Sequence, residues 1–140
     1  MSPAALAYAL RRAFTAAPPL FEHEAQLQQI VHDALRSCLL PHHRAYREVR
    51  LNSRDRLDFL VSHFDPAHPP STSESRGIAI EVKVGGSLSD LTRQLARYAE
   101  SERITGLLVV TTKDRHRQLP PSLGGKPIAC LCLSDFTLGF

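Results

Sequence analysis

An α/β fold, with a mixed central β-sheet flanked by helices, is predicted for this 140-residue chain by three stretches. Residues 77–100, GIAIEVKVGGSLSDLTRQLARYAE, read as a strand that passes through Gly85-Gly86 into a helix. Residues 104–112, ITGLLVVTT, are an apolar run suited to a strand covered on both faces and parallel to its neighbour after a helical crossover. Residues 46–51 and 57–64 read as antiparallel strands about a polar turn at Asn52, Ser53, Arg54 and Asp55. With 43% hydrophobic and 22% charged residues, a chain of this length is expected to build one sizeable core rather than two.

The elements follow in order. Residues 1–20 form an N-terminal helical segment ahead of a main domain at 21–140: Ser2 caps, Pro3 sits in the first turn, and Pro18-Pro19 end the helix. Its Leu6, Tyr8, Leu10 and Phe14 offer apolar surface either to their own domain or to a homodimer contact. Arg11-Arg12 follow the apolar run rather than precede it, which argues against a secretory signal. No stretch approaches the ~18 apolar residues of a membrane span, so no membrane partner is expected. Three cysteines, an odd number without framework spacing, fit a reducing compartment, and a cytoplasmic location is expected.

A second helix spans residues 21–40, with Leu27, Ile30, Val31, Ala34, Leu35 and Leu39 at helical spacing and Glu24 near the apolar edge. On the strand at 57–64, alternation puts Leu57, Phe59 and Val61 on one face and Asp58, Leu60 and Ser62 on the other, while Asp55 reads as a solvated turn residue. Residues 65–76, rich in Pro and Ser, read as a mobile connection long enough to let the flanking strands pair. Ser87 caps a helix over 88–102 with Leu88, Leu91, Leu95 and Ala99 on the buried stripe, Gln94 and Tyr98 one turn apart, and Arg93, Arg97 and Arg103 as solvated charges. After the apolar strand come a short basic loop, Lys113 to Arg117, and a last strand at 127–133 whose Cys130 and Cys132 share one face. The remaining histidines are scattered and support no constellation.

The chemistry concentrates on Glu81 and Lys83, which share one face of an otherwise apolar strand. Burying either charge alone costs several kcal/mol (roughly), so the two must be solvated, paired or bound to something. The paired strands can bring Asp58 beside Glu81. Two carboxylates with an amine can hold a hard cation such as Mg2+ through oxygen, while the lysine positions or deprotonates a water.

Asp58 followed by Glu81-Val82-Lys83 resembles the motif of the PD-(D/E)XK nuclease superfamily, with Leu57 where the motif's name has proline. Gln94 to Tyr98 is similar to the Gln-x-x-x-Tyr helix motif of its RecB-type branch, and Glu24 stands where many members carry an acid, so the likeness covers roughly residues 24–112. The resemblance implies a restriction-endonuclease-like core, αβββαβ, and Mg2+-dependent hydrolysis of phosphodiester bonds in DNA, with Mn2+ able to substitute. It implies Asp58, Glu81, the Val82 carbonyl and Glu24 as metal ligands, and Lys83 serving the attacking water. Gln94 and Tyr98 would orient the lysine or a phosphate, and Arg93, Arg97, Lys113, Arg115 and Arg117 would meet the nucleic-acid backbone. Cutting both strands of a duplex would need a homodimer, a partner subunit or successive events.

Two other readings compete. One is a catalytically idle module of the same fold that binds nucleic acid or a partner protein, and the other a plain structural domain, which leaves the acids and the lysine without a reason. Structural zinc is disfavoured because Cys38, His42, His43, Cys130 and Cys132 lack the usual ligand spacing. A net charge of +3 permits a polyanionic partner without demanding one.

Overall fold

The computed structural model describes residues 1–65, 67 and 75–137. The chain runs α1 (Pro3–Ala16), α2 (Glu24–Cys38), β1 (His43–Arg50), β2 (Arg56–His63), β3 (Gly77–Lys83), α3 (Leu88–Ala99), β4 (Ile104–Thr111), β5 (Ser122–Leu123), β6 (Lys126–Cys132) and α4 (Ser134–Thr137), with a 3-10 helix at Asp114–Gln118. Among the described residues the strands form one six-stranded sheet in the order β1-β2-β3-β4-β6-β5. The β1–β2 and β2–β3 pairs are antiparallel, whereas β3–β4 and β4–β6 are parallel, so the sheet is mixed as expected. From α2 to β4 the order is αβββαβ.

Local chemistry sets the helix starts. The Ser2 hydroxyl accepts from the Ala5 amide at 3.1 Å, and that of Ser87 accepts from the Asp90 amide at 3.1 Å. On α1, Leu6, Leu10 and Phe14 are buried in one cluster with Leu27, Val31 and Leu35 of α2 and with the face of β3 bearing Ile78, Ile80 and Val82. The N-terminal helix therefore packs onto its own sheet, leaving Tyr8 exposed. The opposite face carries α3, whose Leu91, Leu95, Tyr98 and Ala99 pack with Ala79, Leu107 and Val109. With helices on both faces β3 is buried almost throughout, so its charged face is not the solvated surface that alternation alone allowed.

At Gly77 strands β2 and β3 approach so closely that a Cβ would lie 1.9 Å from the Val61 carbonyl oxygen, and only glycine fits. Several expectations need correction. Phe59 and Val61 face α1 and α2, but Leu57 packs with Leu60 on the α3 side, because the strand does not keep its alternation across Asp58. Asp55 is buried rather than solvated, and its carboxylate takes the Arg97 Nε–H at 3.1 Å. Arg103 ties strands together, donating to the carbonyls of Ser75 at 3.0 Å and Arg50 at 3.1 Å. Helix α3 ends at Ala99, and the basic loop is helical. The expected connection at 65–76 falls largely on residues 66 and 68–74, outside the described residues. No helix among the described residues is long and apolar enough to cross a membrane.

Candidate functional site

Asp58 and Glu81 meet where two ladders fail together. The β2–β3 pairing runs from Ser62 opposite Gly77 to Phe59 opposite Ile80 and stops. One step further, the Asp58 amide donates to Glu81 Oε1 at 3.2 Å, and the Val82 amide donates to Asp58 Oδ2 at 2.8 Å. Each carboxylate thus accepts a backbone amide of the opposite strand, and the regular ladder ends at the acids. On the other side, β1–β2 pairing skips from Arg47 opposite Phe59 to Val49 opposite Leu57. The skipped residue, Glu48, has φ 51°, the one positive φ at a non-glycine position among the described residues. Gln28 of α2 completes the surroundings, its Nε2 donating to Asp58 Oδ1 at 3.3 Å.

Burial makes this pair electrostatically tense. Glu81 is 3% exposed, and burial, reinforced by the Asp58 charge, pushes its carboxyl up from 4.5 to about 8. Lys83 and hydrogen bonds from the Asp58 amide and Tyr98 oppose that rise without cancelling it. Asp58 is also raised, first by burial, with the Val82 amide and Lys83 pulling the other way and the Glu48 charge adding to the rise. Lys83 Nζ lies 3.8 Å from Glu81 Oε2.

Gln94 and Tyr98 support the carboxylates from α3. The Gln94 Nε2 donates to the Tyr98 hydroxyl at 2.8 Å, and that hydroxyl is shared between the Arg56 carbonyl, at 3.3 Å, and Glu81. Tyr98 is 1% exposed, and burial followed by the Glu81 charge raises its phenol. The phenol so enclosed bonds Glu81, while Gln94 reaches the neighbouring cleft.

Beside the acids opens a cleft of about 380 Å³, lined by Glu24, Lys83, Gly85, Gly86, Ser87, Asp90 and Gln94 among others. Lys83 is common to the cleft and the acid pair, whereas Glu24 reaches the cleft without joining the pair. Among the described residues no group of three or more His, Cys, Asp or Glu side chains is arranged to hold a metal ion. The donor set still fits Mg2+, which is commonly held by one or two carboxylates with water and phosphate filling the other positions. Two adjacent carboxylates, Glu81 buried and Asp58 half-buried, the first pushed up to about 8, are a pair that a divalent cation would relieve. Val82 meets Asp58 through its amide, not its carbonyl.

The expected basic residues divide. Arg115 lies at the cleft rim, its Nε donating to the Gly86 carbonyl at 2.9 Å, and Lys113 follows the end of β4. Arg97 is held by Asp55, Arg93 pairs with Asp90, and Arg117 is pinned between Asp114 at 3.1 Å and Asp135 at 2.5 Å. Two contributors escaped the sequence reading. Glu48 was hidden because only the hairpin register sets it opposite Asp58. His116, fully buried, bonds Thr111 Oγ1 at 2.6 Å through Nδ1 and donates from Nε2 to the Gly86 carbonyl at 3.0 Å, fixing the turn after Lys83. Gly86, at φ +88°, suits that turn for want of a side chain.

No family model matches the chain, and neither a curated protein nor a solved structure does so significantly.

Proposed function

We propose that this chain is a metal-dependent nuclease that hydrolyses phosphodiester bonds in DNA, resembling the PD-(D/E)XK superfamily in its core and motif. The observation that carries the reading is the pairing of half-buried Asp58 with buried Glu81 where β2 and β3 separate, with Lys83 3.8 Å from Glu81 and open to a cleft. Asp58 and Glu81 would hold Mg2+, with the Val82 carbonyl as a further oxygen; Mn2+ would substitute. Bound there, the cation would neutralise charge on the phosphate and favour ionised water.

The chain's own groups do the rest. Lys83 orients the attacking water and stabilises negative charge growing on the phosphoryl oxygens. Tyr98, held by Gln94, keeps Glu81 in its rotamer. Arg115 and Lys113 at the rim attract the phosphates that flank the bond. A cytoplasmic setting suits the three free cysteines, Cys38, Cys130 and Cys132.

The absence of a third converging ligand among the described residues favours a second reading, a catalytically idle module that binds nucleic acid. A panel of linear, circular, single-stranded and branched DNA, incubated with Mg2+ and with chelator, separates the two. Metal-dependent cleavage of any member supports the nuclease; binding without cleavage throughout supports the idle module.

A further inference from the structure

We propose that a second cleft, between the C-terminal half of α2 and the start of β1, binds a phosphate group. The cleft measures about 510 Å³ and is lined by His32, Arg36, His43 and Arg44 together with apolar residues such as Leu39 and Leu40. Among the described residues no carboxylate lines it. The nearest acid, Asp33, has its Oδ1 3.8 Å from His32 Nδ1, beyond hydrogen-bond reach, and is already engaged by Gln29 Nε2 at 3.0 Å.

The imidazoles supply the directional part of the inference. Nδ1 of His32 and Nδ1 of His43 are both sealed from solvent and without a hydrogen-bond partner. A hydrogen on either would be a buried donor with no acceptor, so each neutral ring keeps its hydrogen on Nε2, the other nitrogen, as a donor. Both rings are held in orientation: His32 stacks on Phe59 at 6.3 Å, and His43 packs against His42 at 4.4 Å and His63 at 5.9 Å. Arg36 has no ion pair or hydrogen bond among the described residues, while the Arg44 guanidinium lies 3.6 Å from the centre of the Phe64 ring. Two guanidiniums oppose a cation here. Two ring N–H donors and a fork of guanidinium donors match the oxygens of a phosphate.

Position ties the cleft to a strand of nucleic acid or leaves it to a free nucleotide. Gln28, which bonds Asp58, precedes His32 on α2 by one turn and Arg36 by two. At 1.5 Å rise per residue Arg36 is about 12 Å from Gln28 along the helix. That is roughly three to four nucleotide steps at ~3.4 Å each. Phosphate binding in this cleft requires no catalysis at Asp58.

The test is nitrogen-detected NMR of the histidine side chains in the full chain, titrated separately with inorganic phosphate, thymidine 5′-monophosphate and a short single-stranded oligonucleotide. Saturable shifts at His32 and His43, with His23 unmoved, are expected from at least one probe. Arg36→Gln should weaken that binding about tenfold or more at an unchanged melting temperature. Binding of phosphate or the mononucleotide assigns a free ligand, and binding of the oligonucleotide alone assigns a passing strand. Absence of shifts with all three probes at millimolar concentration, or wild-type binding by Arg36→Gln, overturns the proposal.

Discussion

Glu81→Gln should stabilise the protein, and increasingly so as pH rises. The carboxyl titrates at 4.5 in an unfolded chain and at about 8 in the folded one, raised by burial and by Asp58. Between those values the folded state retains a proton that the unfolded state has released, so stability falls as pH climbs from about 4.5 to about 8. The gap corresponds to an upper limit of about 5 kcal/mol once pH exceeds both values, and about 3 kcal/mol at pH 7. Glutamine removes this titration, while its carbonyl can still accept the Asp58 amide. Asp58 is shifted in the same direction and stays in both proteins, so the difference between their curves reports Glu81 together with its coupling to Asp58. Urea unfolding at pH 5, 6, 7 and 8 should give stabilities that differ by about 1 kcal/mol or less at pH 5 and diverge steadily above it. Adding Mg2+ at pH 8 should recover stability in the wild type with release of about half a proton per chain, and do little for the variant. A constant offset across the range, or a variant less stable at every pH, would refute the reasoning.

Lys83→Ala should lower single-turnover cleavage by about 100-fold or more while leaving DNA affinity within a few-fold; undiminished turnover would remove Lys83 from the mechanism. Asp55→Ala should cost roughly 1–3 kcal/mol, since it leaves Arg97 uncompensated, and Arg97→Ala in the same chain should recover part of that loss. Equal melting temperatures for Asp55→Ala and the wild type would contradict the assigned pairing. Leu10→Ala should cost about 2–5 kcal/mol, and a chain beginning at Leu20 should lose its near-ultraviolet dichroism, because α1 is part of the core. A truncated chain that stays folded would return α1 to the role of an appended contact helix.

Sequence patterns were informative where one segment carried its own signal. The alternation of Ile78, Ile80 and Val82 with Glu81 and Lys83, the glycines at 85 and 86 and the Ser87 cap define a strand, a turn and a helix within one stretch, and the structure follows them. The meeting of Asp58 with Glu81 was also legible, because neighbouring strands leave few other registers. What stayed hidden depends on partners far apart in sequence. Asp55 looks like a turn residue until Arg97 arrives from α3, and His116 looks like one charge in a basic run until Gly86 and Thr111 enclose it. Leu57 broke the parity rule because alternation holds only while the ladders continue, and both of them lapse at Asp58. The short β5 and α4 gave no periodic signal, each being too brief to show one.

The most direct test of the acid pair as an active centre is the rate of Mg2+-dependent DNA cleavage by Asp58→Asn set beside the wild type. Asparagine keeps an oxygen for the Val82 amide and so preserves the junction of β2 and β3 while removing the charge. The account predicts a folded variant, verified by its melting curve, that has lost metal-dependent cleavage while the wild type cleaves. Cleavage by Asp58→Asn at the wild-type rate would contradict it.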